Sequence, residues 1–248
     1  MIQLRSEEEI INIEKASRIV AKVLDSLAKL IKPGCATIDL DKIAAQLIEK
    51  ENAQSAFKGY MGYPANICAS VNSAVVHGIP DSYRLKEGDI VSLDAGVKFN
   101  GYCGDGAMTV CVGKVSPIVE KLVNCSRQAL CEAIKRAIAG NRIGDISNAI
   151  QAHVERNGFS VVRDYVGHGI GTSVHEEPGI PNYGQPGTGL RIKEGMVLAI
   201  EVMVNMGDWR VQLLDDGWTA VTKDAKPSAH FEHTVAVTKN GPRILTRL

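Results

Sequence analysis

Asp94 stands where a strand should be apolar. It lies in Ile90-Val91-Ser92-Leu93-Asp94-Ala95-Gly96-Val97, and Asp105 follows eleven residues later. If Asn100-Gly101 is a two-residue hairpin turn, Phe99 faces Tyr102 and Gly96 faces Asp105. Side chains alternate along a strand, so Asp94, Gly96 and Asp105 share a face. The two aspartates are then diagonal cross-strand neighbours, roughly 7–8 Å apart at the backbone. Like charges on a sheltered face repel unless one is protonated or a cation lies between them. A solvated edge hairpin with harmless acids is the bland alternative, and the apolar flanks weigh against it.

The C-terminal part supplies matching groups. Glu201 interrupts the apolar run Val197 to Val204, and Glu232 opens a strand through Thr234, Val235, Ala236 and Val237. His168 stands between Gly167 and Gly169, where a backbone can bend closely around a bound group. Alone, such a histidine is usually a hydrogen-bonded structural residue; beside four sheltered carboxylates it becomes a candidate nitrogen ligand. Four carboxylates and one imidazole form a hard, oxygen-rich set suited to manganese, iron or cobalt more than to a thiolate zinc site. They exceed what one divalent ion needs, which implies two. The glycines of Gly167-His168-Gly169-Ile170-Gly171 do not have the spacing of a dinucleotide-binding loop.

The elements that must carry these groups follow from periodicity. Ser6 and Glu9 form a capping box for a helix whose apolar residues, Ile10 to Leu30, recur at helical spacing until Lys32-Pro33-Gly34. A second helix fits Ile38 to Lys50, and Phe57 to Pro64 suits a loop. Strands are expected at 67–76, 89–99 and 107–112. Helices follow at 117–139 and 145–156, then strands at 196–205, 210–214, 219–222, 232–238 and 243–246. Asp216-Gly217 and Asn240-Gly241 supply hairpin turns.

Two helices followed by strands, twice over, suggests a duplication. Leu85 to Asp94 aligns without a gap on Ile192 to Glu201, sharing Lys-Glu-Gly and ending on a carboxylate in each copy. No linker divides the chain, so residues 1–248 are expected to form one domain, with halves of about 1–115 and 116–248.

Composition narrows the class. With 28 basic and 28 acidic residues and 45% apolar residues, nothing marks a nucleic-acid binder or a disordered chain. No apolar run approaches a membrane span, and the N-terminus lacks the features of a signal or transit peptide. The six cysteines form no Cys-x-x-Cys pair and are expected to be reduced. A cytoplasmic chain is the expectation.

These residues resemble the type I methionine aminopeptidases of the short bacterial form, within the pita-bread metallopeptidases. The resemblance covers essentially the whole chain. It rests on His77-Gly78-Ile79-Pro80, Asp94-Ala95-Gly96, Gly101-Tyr102-Cys103-Gly104-Asp105, Gly167-His168-Gly169-Ile170-Gly171, His175-Glu176-Glu177-Pro178 and Phe231-Glu232-His233-Thr234. It implies an α/β (α+β) pita-bread fold, with internally duplicated halves related by a pseudo-two-fold axis around a central antiparallel sheet. It also implies a dinuclear cobalt, manganese or iron centre on Asp94, Asp105, His168, Glu201 and Glu232, with Asp105 and Glu232 bridging. By the same resemblance, His77 and His175 hold substrate and stabilise the tetrahedral intermediate, and Glu201 shuttles a proton. Tyr60, Tyr63, Cys68 and Trp218 would line the methionine pocket, and Asn72 and Ser228 fall where the family holds a sodium or potassium ion. The implied reaction removes the N-terminal methionine of nascent chains whose second residue is small. The implied partners are Met-peptides, nascent chains and, through them, the ribosome; the small family members are usually monomers.

Three positions depart from the family pattern. Val202 follows Glu201 where proline is common, and Met61 replaces a frequent histidine or other polar residue. Val174 is smaller than the usual phenylalanine or methionine before His175, so one pocket wall is expected to be wider. Prolidases and X-Pro aminopeptidases share the fold and a similar ligand set. They carry an extra N-terminal domain, whereas the first helix here is expected at about Glu7, and they rank second. A non-catalytic pita-bread binding module is the rival from another class; such relatives lose ligands, and this chain keeps all five.

Overall fold

The protein is described by a computed structural model that covers residues 2–248. Its first helix begins at the expected capping box. Glu9 N–H donates to Ser6 Oγ at 3.3 Å, and Ser6 N–H donates to Glu9 Oε2 at 2.9 Å. Helix α1 (Glu7–Ala28) then buries Ile10, Ile13, Val20, Val23 and Leu27 along one stripe, and α2 (Thr37–Lys50) follows. The N-terminal strands are β1 (Gln54–Ser55), β2 (Cys68–Val71), β3 (Ala74–Val76), β4 (Ile90–Phe99) and β5 (Tyr102–Cys111).

The hairpin between β4 and β5 has the predicted register, with Phe99 opposite Tyr102 and Gly96 opposite Asp105. Asn100 (φ 50°) and Gly101 (φ 84°) both adopt left-handed backbone, which a tight hairpin turn of this length requires. Gly104 serves a different need. A Cβ there would strike the backbone of Ser17, so glycine lets α1 lie directly on β5.

The chain then forms α3 (Pro117–Ile134), α4 (Ile143–Arg156), β6 (Ser160–Val161), β7 (Val166–Gly169), β8 (Glu176–Pro181), β9 (Val197–Asn205), β10 (Val211–Leu213), β11 (Ala220–Thr222), β12 (Ser228–Thr238) and β13 (Gly241–Ile244). The fold is mixed α/β around a central antiparallel sheet of ten strands, ordered β1-β4-β5-β12-β9-β7-β8, with β2, β6 and β13 on its flanks. Strand β12 pairs with β5 on one side and β9 on the other, which joins the N- and C-terminal strands. One face of the sheet is closed by helices. Val91, Leu93, Ala95 and Val97 pack with α1 and α2, while Leu198, Ile200, Val202 and Val204 pack with α3 and α4. Alternation sends the residues between them to the opposite face.

Several boundaries differ from expectation. The stretch 67–76 is broken at Asn72 (φ 52°), whose Oδ1 accepts from Ile90 N–H at 3.0 Å. Beyond this break β3 leaves the main sheet and joins β10 and β11 in a three-stranded one. Helix α3 ends at Ile134 because Arg136 and Ala137 bond three residues back, to Ala133 and Ile134, and tighten the last turn. Helix α4 starts at Ile143, since Asp145 accepts from Arg142 N–H at 2.7 Å. Glu232 lies in the middle of β12, not at its start. Strands β7 and β8 were not expected, because glycine and proline mask their alternation. Gly167 and Gly169 serve close packing there, as a Cβ would meet the carbonyls of Ala199 and Glu177. All six cysteines are free. Among the described residues, no helix is long and apolar enough to cross a membrane.

Candidate metal centre

Strand register assembles the acids. Ala107 on β5 faces Asp94 on β4 and Glu232 on β12, and Glu232 in turn faces Glu201 on β9. Three carboxylates therefore lie in one row across four strands. Asp105 lies two residues from Ala107 on the same face, and Thr234 ties it to β12 by donating its hydroxyl to Asp105 O at 2.7 Å. On the far side His168 faces Ala199, two residues before Glu201. Alanines at 107 and 199 leave open space between the longer polar groups.

His168 Nε2 lies 3.4 Å from Glu201 Oε1 and 3.8 Å from Asp105 Oδ2. Ligand atoms of Asp105, His168 and Glu232 all fall within 4.8 Å of one another. Asp94 and Glu201 are outside that tight trio but line the same cavity. No lysine or arginine is among the described residues lining it.

Burial therefore meets uncompensated charge. Burial raises the Asp94 carboxyl to about 7. Burial, and then Glu232 and Asp94, hold Asp105 well above its usual range. Glu201 is raised by burial, Asp94 and Asp105; Glu232 is raised by burial, Glu201 and Asp94. His168 moves the other way, to about 3, through burial and the nearby His175. Its ring is neutral near pH 7. With Nδ1 as donor to Gly169 O at 3.0 Å, the Nε2 lone pair faces the acids.

The donor set fits a hard divalent cation. Asp94 Oδ1 and Glu232 Oε1 are buried without a hydrogen-bond partner, so the fold leaves acceptors that only a cation or a proton would satisfy. This cluster indicates divalent metal binding.

The cavity measures about 300 Å³, the small end of the usual ligand-pocket range. Tyr60, Tyr63, Cys68, His77, His175 and Trp218 line it together with the acids, so every residue assigned to substrate on sequence grounds reaches the same space. The histidines connect acids to aromatics. His175 lies 4.4 Å from the His168 ring and 5.1 Å from Tyr60; His77 lies 6.3 Å from Trp218, which packs edge-on to Tyr63 at 5.1 Å. Burial and His175 lower His77 to about 4, and burial lowers His175. His77 also adopts left-handed backbone (φ 59°), strain of a kind that clusters at functional sites. Tyr63 braces the next residue by donating its hydroxyl to Gly78 O at 3.0 Å.

Other assignments land elsewhere. Asn72 O accepts from Ser228 N–H at 2.8 Å, so this pair meets, but away from the cavity lining. Val174 is buried in one cluster with the lining residues Phe57, Tyr63 and Cys68. Its side chain is not among those that line the cavity. Met61 is exposed at the mouth (φ 48°), and Val202 faces α3 on the side away from Glu201.

Other neighbours escaped the sequence reading, among them His230 and Asp164. His230 is buried, and its unpartnered Nε2 lies 3.8 Å from Glu201 Oε2. The signal was available: it precedes Glu232 by two residues and so shares its face. Asp164, at the cavity lining, carries no such signal.

This geometry defines a class. The chain belongs to metallopeptidase family M24, whose profile matches residues 11–239. Within that class, it is 53% identical over 246 residues to a methionine aminopeptidase of Clostridium perfringens, covering 99% of each chain. The crystal structure of methionine aminopeptidase from Thermotoga maritima superposes with a TM-score of 0.99 at 48% identity, covering 100% of both chains. The prolidase of Pyrococcus furiosus shares the fold at a TM-score of 0.80 and 24% identity. The match covers 99% of this chain and 65% of the prolidase.

Proposed function

We propose that this chain is a metalloaminopeptidase that removes the N-terminal methionine from polypeptides whose second residue is small. The reading rests on one observation above the others: buried acids, a neutral imidazole and an aromatic wall share a single cavity of about 300 Å³. Residues of about 1–115 and 116–248 act as two halves of one domain.

Asp94, Asp105, His168, Glu201 and Glu232 would hold two divalent ions, of cobalt, manganese or iron. When bound, such ions would make their bound water far more acidic and polarise a carbonyl. The protein's own groups do the rest. Glu201, at the cavity beside the other acids, would carry a proton to the departing amine. His77 and His175, both neutral there, can donate N–H groups to the substrate's carbonyl oxygen as charge develops. Tyr60, Tyr63, Cys68 and Trp218 surround a flexible thioether and exclude water from it. Asn72 and Ser228 would support a sodium or potassium ion near the β2–β3 break. Nascent chains in the cytoplasm, at the ribosome, are the natural substrate pool for a monomeric enzyme of this kind.

The test is cleavage of Met-Ala-Ser against Leu-Ala-Ser, Pro-Ala-Ser and Xaa-Pro peptides by protein reloaded with manganese or cobalt. Met-Ala-Ser is expected to be cleaved first, and a chelator to stop it. Preference for Xaa-Pro would replace this reading with a prolidase or X-Pro aminopeptidase. Metal binding without cleavage of any peptide would favour a binding module.

A further inference from the structure

The turn that presents His175 is gripped from outside by the N-terminal segment. Glu176 Oε1 accepts from the backbone N–H of Thr172 at 2.9 Å and of Ser173 at 3.1 Å, so the turn folds around this carboxylate. Its other oxygen, Oε2, receives the Arg5 guanidinium at 2.5 Å. The Arg5 side chain is only 7% exposed, and its second partner is Glu9 Oε1 at 3.5 Å. Glu9 is itself immobilised, because its Oε2 caps α1 at Ser6. The Arg5 backbone is held as well, its N–H donating to Gly195 O at 2.7 Å. At the turn, Gly171 lies so close that a Cβ would collide with the guanidinium. The same glycine's carbonyl accepts from Cys103 N–H at 2.7 Å, on the strand that carries Asp105.

We propose that Arg5 is a positioning residue: through Glu176 it fixes the 171–176 turn and so sets where the His175 ring meets substrate. A surface ion pair would do little, but this one is nearly closed to water and braces two elements far apart in sequence. Glu176 without Arg5 is a half-sheltered carboxylate held only by Thr172 and Ser173 of its own turn, and the turn is free to shift. Misplacement of a substrate-contacting group by about 1 Å can cost up to about 100-fold in rate. The proposal rests on the reading of His175 as a substrate contact.

The experiment compares Arg5→Ala, Arg5→Lys and Glu176→Gln, each also in a His175→Ala background, with metal content measured on every sample. In the otherwise unaltered protein, Arg5→Ala and Glu176→Gln are expected to lower kcat on Met-Ala-Ser about tenfold. KM and metal affinity should change little, and Arg5→Lys should restore most of the loss. In the His175→Ala background the same changes should cost almost nothing more, because their route is already removed. NMR of the metal-free protein gives a second readout: the His175 ring signals should move in Arg5→Ala and return in Arg5→Lys. Equal losses in both backgrounds, with unmoved ring signals, would overturn the proposal while leaving His175 in place. A His175→Ala enzyme with full turnover would instead overturn the reading beneath it.

Discussion

The two halves of the site hold their acids differently. Asp94 and Asp105 sit on neighbouring strands joined by a two-residue turn, offset diagonally. Glu201 and Glu232 face each other directly across β9 and β12, with the β10–β11 excursion between them in sequence. The first arrangement is local and separates its charges; the second is assembled from a distance and sets like charges opposite one another, which destabilises a sheet. The glutamate pair should therefore depend more on a cation than the aspartate pair does.

The largest effects should come from removing ligands. Glu232→Ala and Asp105→Ala are expected to lower turnover more than about 100-fold, beyond what loss of a supporting residue costs. Full activity of Asp105→Ala at saturating metal would remove that residue from the centre. The same comparison can be read in stability. In metal-free protein, Glu201→Gln or Glu232→Gln should raise Tm more than Asp94→Asn, because each relieves a direct opposition. The reverse ranking, by calorimetry, would break the contrast between the halves.

Acidity sharpens it further. A carboxyl with a raised folded pKa stabilises the fold at low pH and loses that contribution as pH rises through the folded value. For Asp94 the window runs from 3.8 to about 7, and Asp105, Glu201 and Glu232 extend it upward. Histidines lowered from 6.5, such as His168 at about 3 and His77 at about 4, act oppositely: their contribution is present above 6.5 and lost on acidification. The two trends offset one another below 6.5, and above it the acids act alone. Chelated protein should thus lose stability between about pH 6.5 and 8, by about 1 kcal/mol per pH unit for each proton released. Metal-loaded protein should show little such loss. Parallel Tm profiles for the two forms would sink the explanation.

A smaller effect is expected at His175. His175→Ala should keep its metal and lose about tenfold in turnover, acting on the transition state. Loss of metal in proportion to activity would make it a ligand. The smallest concerns Val174, where the turn packs against the aromatic wall from the N-terminal half. Val174→Phe should overpack that contact and cost about 1–3 kcal/mol of stability. The ranking of methionyl against norleucyl peptides should stay as it was. A sharpened ranking would mean that the side chain reaches substrate after all.

The N-terminal half was far more legible than the C-terminal one. Asn100-Gly101 names its own turn, and the register from that turn places Asp94 and Asp105 without knowledge of any other element. The capping box at Ser6 and the amphipathic stripe of α1 are equally local. Glu201 could be recognised as a buried acid, but not as the partner of Glu232. His168 could be recognised as a candidate, but β7, which carries it, was hidden by Gly167 and Gly169, whose role is to admit neighbouring carbonyls. His230 lies before the strand start that the sequence suggests at Glu232, outside the visible alternation, although β12 begins at Ser228.

Residue type and short-range geometry were determined by the sequence alone: which groups are hard ligands, which strand face they occupy, and how one hairpin folds. These follow from the two-residue period of strands and from turns that only certain residues adopt. The meeting of the halves was decided by tertiary structure. Asp105 and Thr234 exchange hydrogen bonds across 129 residues of chain, and that seam brings Glu232 beside Ala107 and the glutamates over to the aspartates. No local rule specifies such a pairing, because its register depends on how the two helix-backed cores pack, and packing is a property of the whole sheet.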